Sequence, residues 1–383
     1  MTTRAPGRGR AARLLPRPSA LSAGGIALAL LLAGCSAPAA EDAPPAGARS
    51  GGAETGAGGP DVEVSAPERL PGVVSSDDVA TTDDPLAAWA EQTAAEPAQV
   101  TSTADGAVQD VLWFPPAEPG GPLLVHVHSW SDDYTQEVGI PLARWAEQEG
   151  WGFVQPDFRG DNAGPDSTGS ELTSQDVVDA IDLAVAEGGA DPERVYVTGY
   201  SGGGMASLLL AGRHPDRVAA AAAQVPVYDL VSWYAYSREA QPEARYTADI
   251  EAACGGDPTA DPAAAQECTS RSPASVAAAV RDAGIPVLVT HGAGDEVVPV
   301  ADGLRAFDDL ADEADRVGAT AVGELPAPTG DELAATRFTD EDPPVLFARS
   351  SGDVTVAVFD GGHELVYYPA LDWLARVDAA SRA

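Results

Sequence analysis

From Val100 onward, short apolar runs alternate with longer amphipathic ones. The runs Gln109–Phe114, Leu123–His128, Gly152–Gln155, Val195–Thr198, Val218–Val227, Ile285–Thr290 and Val354–Phe359 are bounded by Gly, Pro or polar clusters. Continuous apolar runs of that length predict strands buried on both faces. Between them, residues 136–149, Asp176–Glu187, Met205–Arg213, Ser275–Ala283, 301–315 and Tyr368–Val377 predict helices. In the second of these, Val177, Ile181, Leu183 and Val185 mark the inward stripe. Strands alternating with helices predict an α/β class, with a mostly parallel sheet covered on both faces. Residues 228–272 lose the alternation and hold Trp233, Tyr234, Tyr236 and Tyr246, so they read as a small helical cap insertion. Residues 316–343 are acidic and rich in Pro and Gly, and read as a surface excursion. No period of 20–50 residues recurs, which argues against a propeller or solenoid.

The first 97 residues follow a different pattern. Residues 1–34 join a basic stretch (Arg4, Arg8, Arg10, Arg13, Arg17) to an apolar core from Leu21 to Leu32. They end in Leu32-Ala33-Gly34 before Cys35, the signature of an export signal. That ending resembles the lipobox of bacterial lipoproteins, which implies lipidation at Cys35 and anchoring to the outer face of the cell membrane. The alternative is ordinary secretion. Residues 35–97 are rich in Ala, Gly, Pro and acids and read as a disordered linker, with a short helix over Pro85–Glu96 carrying Leu86 and Trp89. A folded domain is then expected over 98–383.

The chain carries a net charge of −37. Residues 1–34 hold five Arg and no acid, so without them the balance is 17 − 59 = −42. All cationic side chains are Arg; there is no Lys. Such a surface disfavours nucleic acid and anionic membrane surfaces as partners, leaving the Cys35 lipid as the expected membrane contact. Of three cysteines, Cys254 and Cys268 remain after Cys35, and in an exported chain they are expected to form a disulfide.

The chemistry centres on Gly199-Tyr-Ser-Gly-Gly203, a G-x-S-x-G placed between a strand and a helix. That setting is the nucleophile elbow of α/β-hydrolases, with Ser201 as nucleophile. A Ser hydroxyl needs a base, and the base an orienting acid, both following the Ser in this chain order. Asp295 ends the strand Val287–Thr290 in a Gly-rich turn and is the candidate acid; Glu296 and Asp360 are its competitors. Of five His, His363 sits in Gly361-Gly-His363 directly after the last strand. There two glycines would let the loop swing an imidazole over Ser201, so it is the candidate base. The oxyanion hole requires two N–H groups. Gly202 supplies one, and the loop after Leu123–His128 the other, from Trp130 or else Ser129. Trp130, Trp233, Tyr234 and Tyr236 would either line an acyl pocket or pack the core. Arg159 would either meet a substrate carboxylate or pair with Asp157 or Asp161. No metal or organic cofactor is implied.

With these residues placed, the chain resembles the catalytic domain of the prolyl oligopeptidase family of serine peptidases, within the α/β-hydrolase fold. The resemblance runs from about Val100 to Trp373. It rests on His128-Ser-Trp-Ser, Pro156-Asp-Phe-Arg-Gly160, the elbow, His291-Gly-Ala-Gly-Asp295 with Val298-Pro299, and Gly361-Gly-His363. It implies Ser201 as nucleophile, His363 as base and Asp295 as acid, acting on short peptides. The larger members add an N-terminal β-propeller, for which the stretch between Cys35 and Val100 is too short. Secreted carboxylesterases and deacetylases share this triad, so an ester, small or polymer-linked, is the alternative substrate. A non-catalytic surface binding protein is a third reading.

Overall fold

The computed structural model describes residues 68–383, apart from 319–322 and 324. The leader 1–34, Cys35 and the linker up to residue 67 lie outside the described residues. The strands are β1 (Glu96–Thr101), β2 (Val108–Phe114), β3 (Leu123–His126), β4 (Gly152–Pro156), β5 (Val195–Tyr200), β6 (Ala220–Gln224), β7 (Val287–Gly292), β8 (Val345–Ser351) and β9 (Val354–Phe359). They form one sheet in the order β1-β2-β4-β3-β5-β6-β7-β9-β8. From β4 through β9 the pairs are parallel, while β1, β2 and β8 pair antiparallel at the edges.

Each central strand feeds two cores by simple alternation. Leu123, Val125, Val195, Val197, Val287 and Val289 join one apolar cluster. Leu124, Phe153, Tyr196 and Leu288 join the other. The second face is covered by α1 (Pro85–Gln92), α2 (Gly139–Glu149) and α11 (Tyr367–Ser381). The first is covered by α3 (Glu171–Ala186), α4 (Gly202–Arg213), α8 (Ala277–Ala283) and α9 (Val300–Leu310). A third cluster lies under the cap, built from α5 (Leu230–Ala240), α6 (Tyr246–Cys254) and α7 (Pro262–Ser270). Cys254 and Cys268 join α6 to α7 through a disulfide, with Cα atoms 5.2 Å apart. The architecture is the expected one: a mostly parallel sheet, helices on both faces, and a helical cap over 228–272.

Three boundaries differ from the sequence expectation. The domain does not begin at 98. Residues 69–84 are held against it by polar contacts that an apolar pattern does not report, and α1 packs on the second core through Ala88 and Trp89. Arg69 pairs with Asp342 at 2.8 Å, and the Leu70 amide donates to the Tyr368 hydroxyl. Ser76 exchanges two hydrogen bonds with Leu365, at 2.8 and 3.0 Å. The Thr82 amide and hydroxyl both donate to Glu137, each at 2.6 Å. Second, the excursion over 316–343 contains α10 (Gly330–Thr336), whose N-terminus is closed by a Thr329–Glu332 capping box. Third, β8 was not foreseen, because its solvent-facing residues (Arg349, Ser350) dilute the apolar signal of an edge strand.

Candidate active site

The elbow forms where β5 must turn into α4 in a single residue. Ser201 takes φ 58°, ψ −120°, a region L-residues seldom occupy. Its amide is fixed by a 2.9 Å bond to the Gln224 carbonyl. The glycines are required by close approach. A Cβ at Gly199 would sit 2.5 Å from the Val127 carbonyl oxygen, and one at Gly203 would sit 2.2 Å from the same atom. The turn can therefore press against the β3 loop only with glycine at both positions.

Two further strand ends bring the partners. Asp295 lies in the turn after β7, and His363 in the loop after β9; β7 and β9 are neighbours in the sheet. His363 Nδ1 and Asp295 Oδ2 are 2.8 Å apart. The other carboxylate oxygen accepts from the Val297 and Val298 amides at 2.8 and 2.9 Å. His291 Nε2 donates to the Val298 carbonyl at 2.9 Å and stands 3.3 Å from Asp295 Oδ2. Burial alone would raise the Asp295 carboxyl, but the hydrogen bonds from His291 and His363 outweigh it. They hold the carboxyl well below the usual carboxylate range. Asp295 is thus an anion facing an imidazole. Neither Glu296 nor Asp360 takes part in this pair. The His363 loop is also less free than its glycines suggest. The Gly294 amide donates to the Gly361 carbonyl at 2.9 Å, and a Cβ at Gly292 would meet the Gly362 oxygen at 2.0 Å. Gly292 lets the two loops cross in contact, so the imidazole is pinned rather than swinging. No hydrogen bond joins the Ser201 hydroxyl to His363 among the described residues; such contacts often tighten only when substrate binds.

On the opposite side of Ser201, the β3 loop carries the second oxyanion candidate. The Ser129 amide donates to Gln136 Oε1 at 2.9 Å and is occupied. The Trp130 amide has no acceptor among the described residues, and neither does the Gly202 amide at the first turn of α4. The two are adjacent: a Cβ at Gly202 would lie 2.7 Å from Trp130 N. Two unpartnered amides close together, one of them directly following Ser201, are candidates for holding a developing oxyanion. Gln136, which occupies the Ser129 amide, carries no motif in the sequence.

The remaining candidates have structural partners. Arg159 forms bonds to Asp176 (2.5 Å) and Asp105 (2.8 Å), not to Asp157 or Asp161, and does not face the site. Trp130 and Trp233 pack edge-on with ring centroids 4.7 Å apart. The Trp130 indole donates to Asp249 at 3.1 Å and the Trp233 indole to the Val297 carbonyl at 2.9 Å. Both rings are buried core that binds the cap to the Asp295 turn. The Tyr236 hydroxyl likewise donates to the Glu296 carbonyl at 2.8 Å. His126 is fully buried; burial, against its hydrogen bond to Gln155, lowers it to about 4, so it is a neutral spacer. His128 stacks on Phe158, centroids 4.1 Å apart.

Residues 142–322 match the prolyl oligopeptidase family. Feruloyl esterase B of Talaromyces stipitatus is 31% identical over 151 residues, covering 36% of this chain and 42% of that one. The acylamino-acid-releasing enzyme of Arabidopsis thaliana is 45% identical over 65 residues, 16% of this chain and 8% of its own length. Among solved structures, the acylaminoacyl peptidase of Pyrococcus horikoshii superposes with a TM-score of 0.50 at 18% identity, over 79% of this chain and 43% of that one. The chain spans less than half the length of each of these proteins. At that identity the structural likeness speaks for the fold. With the sequence match, it supports a serine hydrolase built on the α/β-hydrolase fold, the similarity to the prolyl oligopeptidase family covering residues 142–322.

Proposed function

We propose that the protein is an exported, lipid-anchored serine hydrolase that works through an acyl-enzyme. The observation that carries this reading is that parallel strands end at one sheet edge: a strained Ser201 follows β5, and the His363–Asp295 pair is built from the loops after β7 and β9. Ser201 Oγ attacks the substrate carbonyl carbon while His363 takes its proton, and the Gly202 and Trp130 amides receive the oxyanion. The carbonyl reforms as the leaving group departs with that proton; water then repeats the sequence on the acyl-enzyme. Asp295 keeps the imidazole oriented and offsets its charge. The family match favours a short peptide as substrate. The likeness to a feruloyl esterase gives the ester reading its specific support.

A fluorophosphonate probe tests the enzyme reading: labelling of the wild type and none of Ser201→Ala is expected, and equal labelling of both would reject it. Ala-Pro and Gly-Pro chromogenic amides assayed beside p-nitrophenyl acetate divide the substrates. Ester turnover without amide cleavage would reject the peptidase reading. Palmitate incorporation into wild type but not Cys35→Ala is the expected outcome for the anchor; equal incorporation would remove it.

A further inference from the structure

A cavity of about 390 Å³ opens beside the candidate base. Four larger cavities, of about 620, 590, 520 and 440 Å³, lie elsewhere, the first against Arg69 and the second between β8 and α11, and none touches Ser201, Asp295 or His363. The smaller one meets the site through His363 and Tyr200, whose rings stand 6.2 Å apart. Its far wall is the segment before α1, including Val79 and Thr81, and its floor includes Asp132 of the β3–α2 loop. That wall is tied down at both ends, by Ser76 to Leu365 just past the His363 loop and by Thr82 to Glu137 just before α2. Neither the vacant amides nor the cap residues line it.

We infer that this cavity is the leaving-group pocket of the hydrolase, walled by residues 76–85, and that it admits a compact amine or alcohol. The inference rests on the acyl-enzyme reading and deepens it. During acylation the Ser201 Oγ–acyl bond forms and the bond from acyl carbon to the leaving nitrogen or oxygen breaks. The Ser201 proton passes through His363 to that leaving atom, so the departing group must lie against the imidazole. The oxyanion amides and the cap lie elsewhere, and the cavity is the space that the imidazole itself borders. Its lining is polar, with hydroxyl, amide and carboxylate oxygens and neither Lys nor Arg, which suits a group that donates hydrogen bonds. Its tethered wall sets a size limit from within this chain.

The reverse transfer tests this without relying on a natural substrate. An acyl-enzyme formed from p-nitrophenyl acetate is offered glycinamide, and N-acetylglycinamide is measured against acetate. A pocket predicts that transfer saturates with glycinamide concentration. In the full-length Val79→Trp variant, and independently in Thr81→Trp, transfer falls by about tenfold or more as the cavity fills. Fluorophosphonate, whose departing fluoride needs no pocket, still labels Ser201 in both, which shows that they fold and keep the nucleophile. Transfer that rises linearly without saturation, or that survives both substitutions in labelled, active protein, overturns the inference. Loss of wild-type labelling and of the p-nitrophenol burst would instead overturn the acyl-enzyme reading beneath it.

Discussion

The two sides of Ser201 are built on opposite terms. On the acid side, both Asp295 oxygens are engaged, by His363, His291 and the amides of Val297 and Val298, and the neighbouring loops are laced to one another. On the oxyanion side, the Trp130 and Gly202 amides stand together with no acceptor among the described residues, while the amide next to them is occupied by Gln136. Leaving a buried donor unpaired costs about 1–3 kcal/mol. A fold tolerates that where the missing partner arrives with the substrate. In the proposed mechanism the acid is held ready before the reaction, and the oxyanion hole is completed by the substrate.

Breaking the acid side carries the largest expected effect. Asp295→Asn keeps the shape but loses the charge that fixes the imidazole tautomer, and kcat should fall by about 10⁴. The same variant sharpens the electrostatic claim. A carboxyl whose folded value is depressed contributes stability above its unfolded value, near about 4, and loses it as pH falls toward the folded value. Thermal scans should therefore show the wild-type advantage over Asp295→Asn at pH 7 shrinking below about pH 4. An advantage that is constant with pH would refute the depressed carboxyl. On the other side, Gly202→Ala drives a Cβ into the Trp130 amide and Cα, 2.7 and 2.8 Å away. The β3 loop must retreat, and kcat/KM should fall by about 10²–10³, the range for one lost oxyanion donor. A drop below about fivefold would mean that Trp130 is not the second donor.

The cap contributes next, through stability rather than rate. Replacing Cys254 and Cys268 by Ser opens a loop with a sequence separation of 14, at a cost of about 3 kcal/mol. Urea unfolding should show that loss; an unchanged midpoint would mean that the bond does not constrain the cap. The sequence marked this pair by cysteine count, and it singled out Ser201, Asp295 and His363, which the structure places at the ends of β5, β7 and β9. What it did not mark is held by scattered polar contacts. Gln136 and the segment from Arg69 to Asp84 act through hydrogen bonds to residues distant in the chain, with no period or motif to announce them. The same holds for Arg159, where the partner is fixed by tertiary packing of Asp176 from α3 and not by its sequence neighbours.

His291 tests how far the acid side depends on its outer contact. Its ring is fully buried, its Nδ1 has no partner among the described residues, and Gly303 packs so closely that a Cβ there would lie 2.6 Å from that nitrogen. The only work of its polar atoms is done by Nε2, shared between the Val298 carbonyl and Asp295. His291→Phe keeps a ring of similar shape and removes the donor. One lost hydrogen bond of about 1 kcal/mol should lower kcat/KM by roughly fivefold, the smallest effect of the four. His291→Gln, which restores an N–H, should recover much of the rate. A rate loss in His291→Phe that His291→Gln does not recover would reduce His291 to packing, and the contrast between the two sides of Ser201 would then rest on His363 and the turn amides alone.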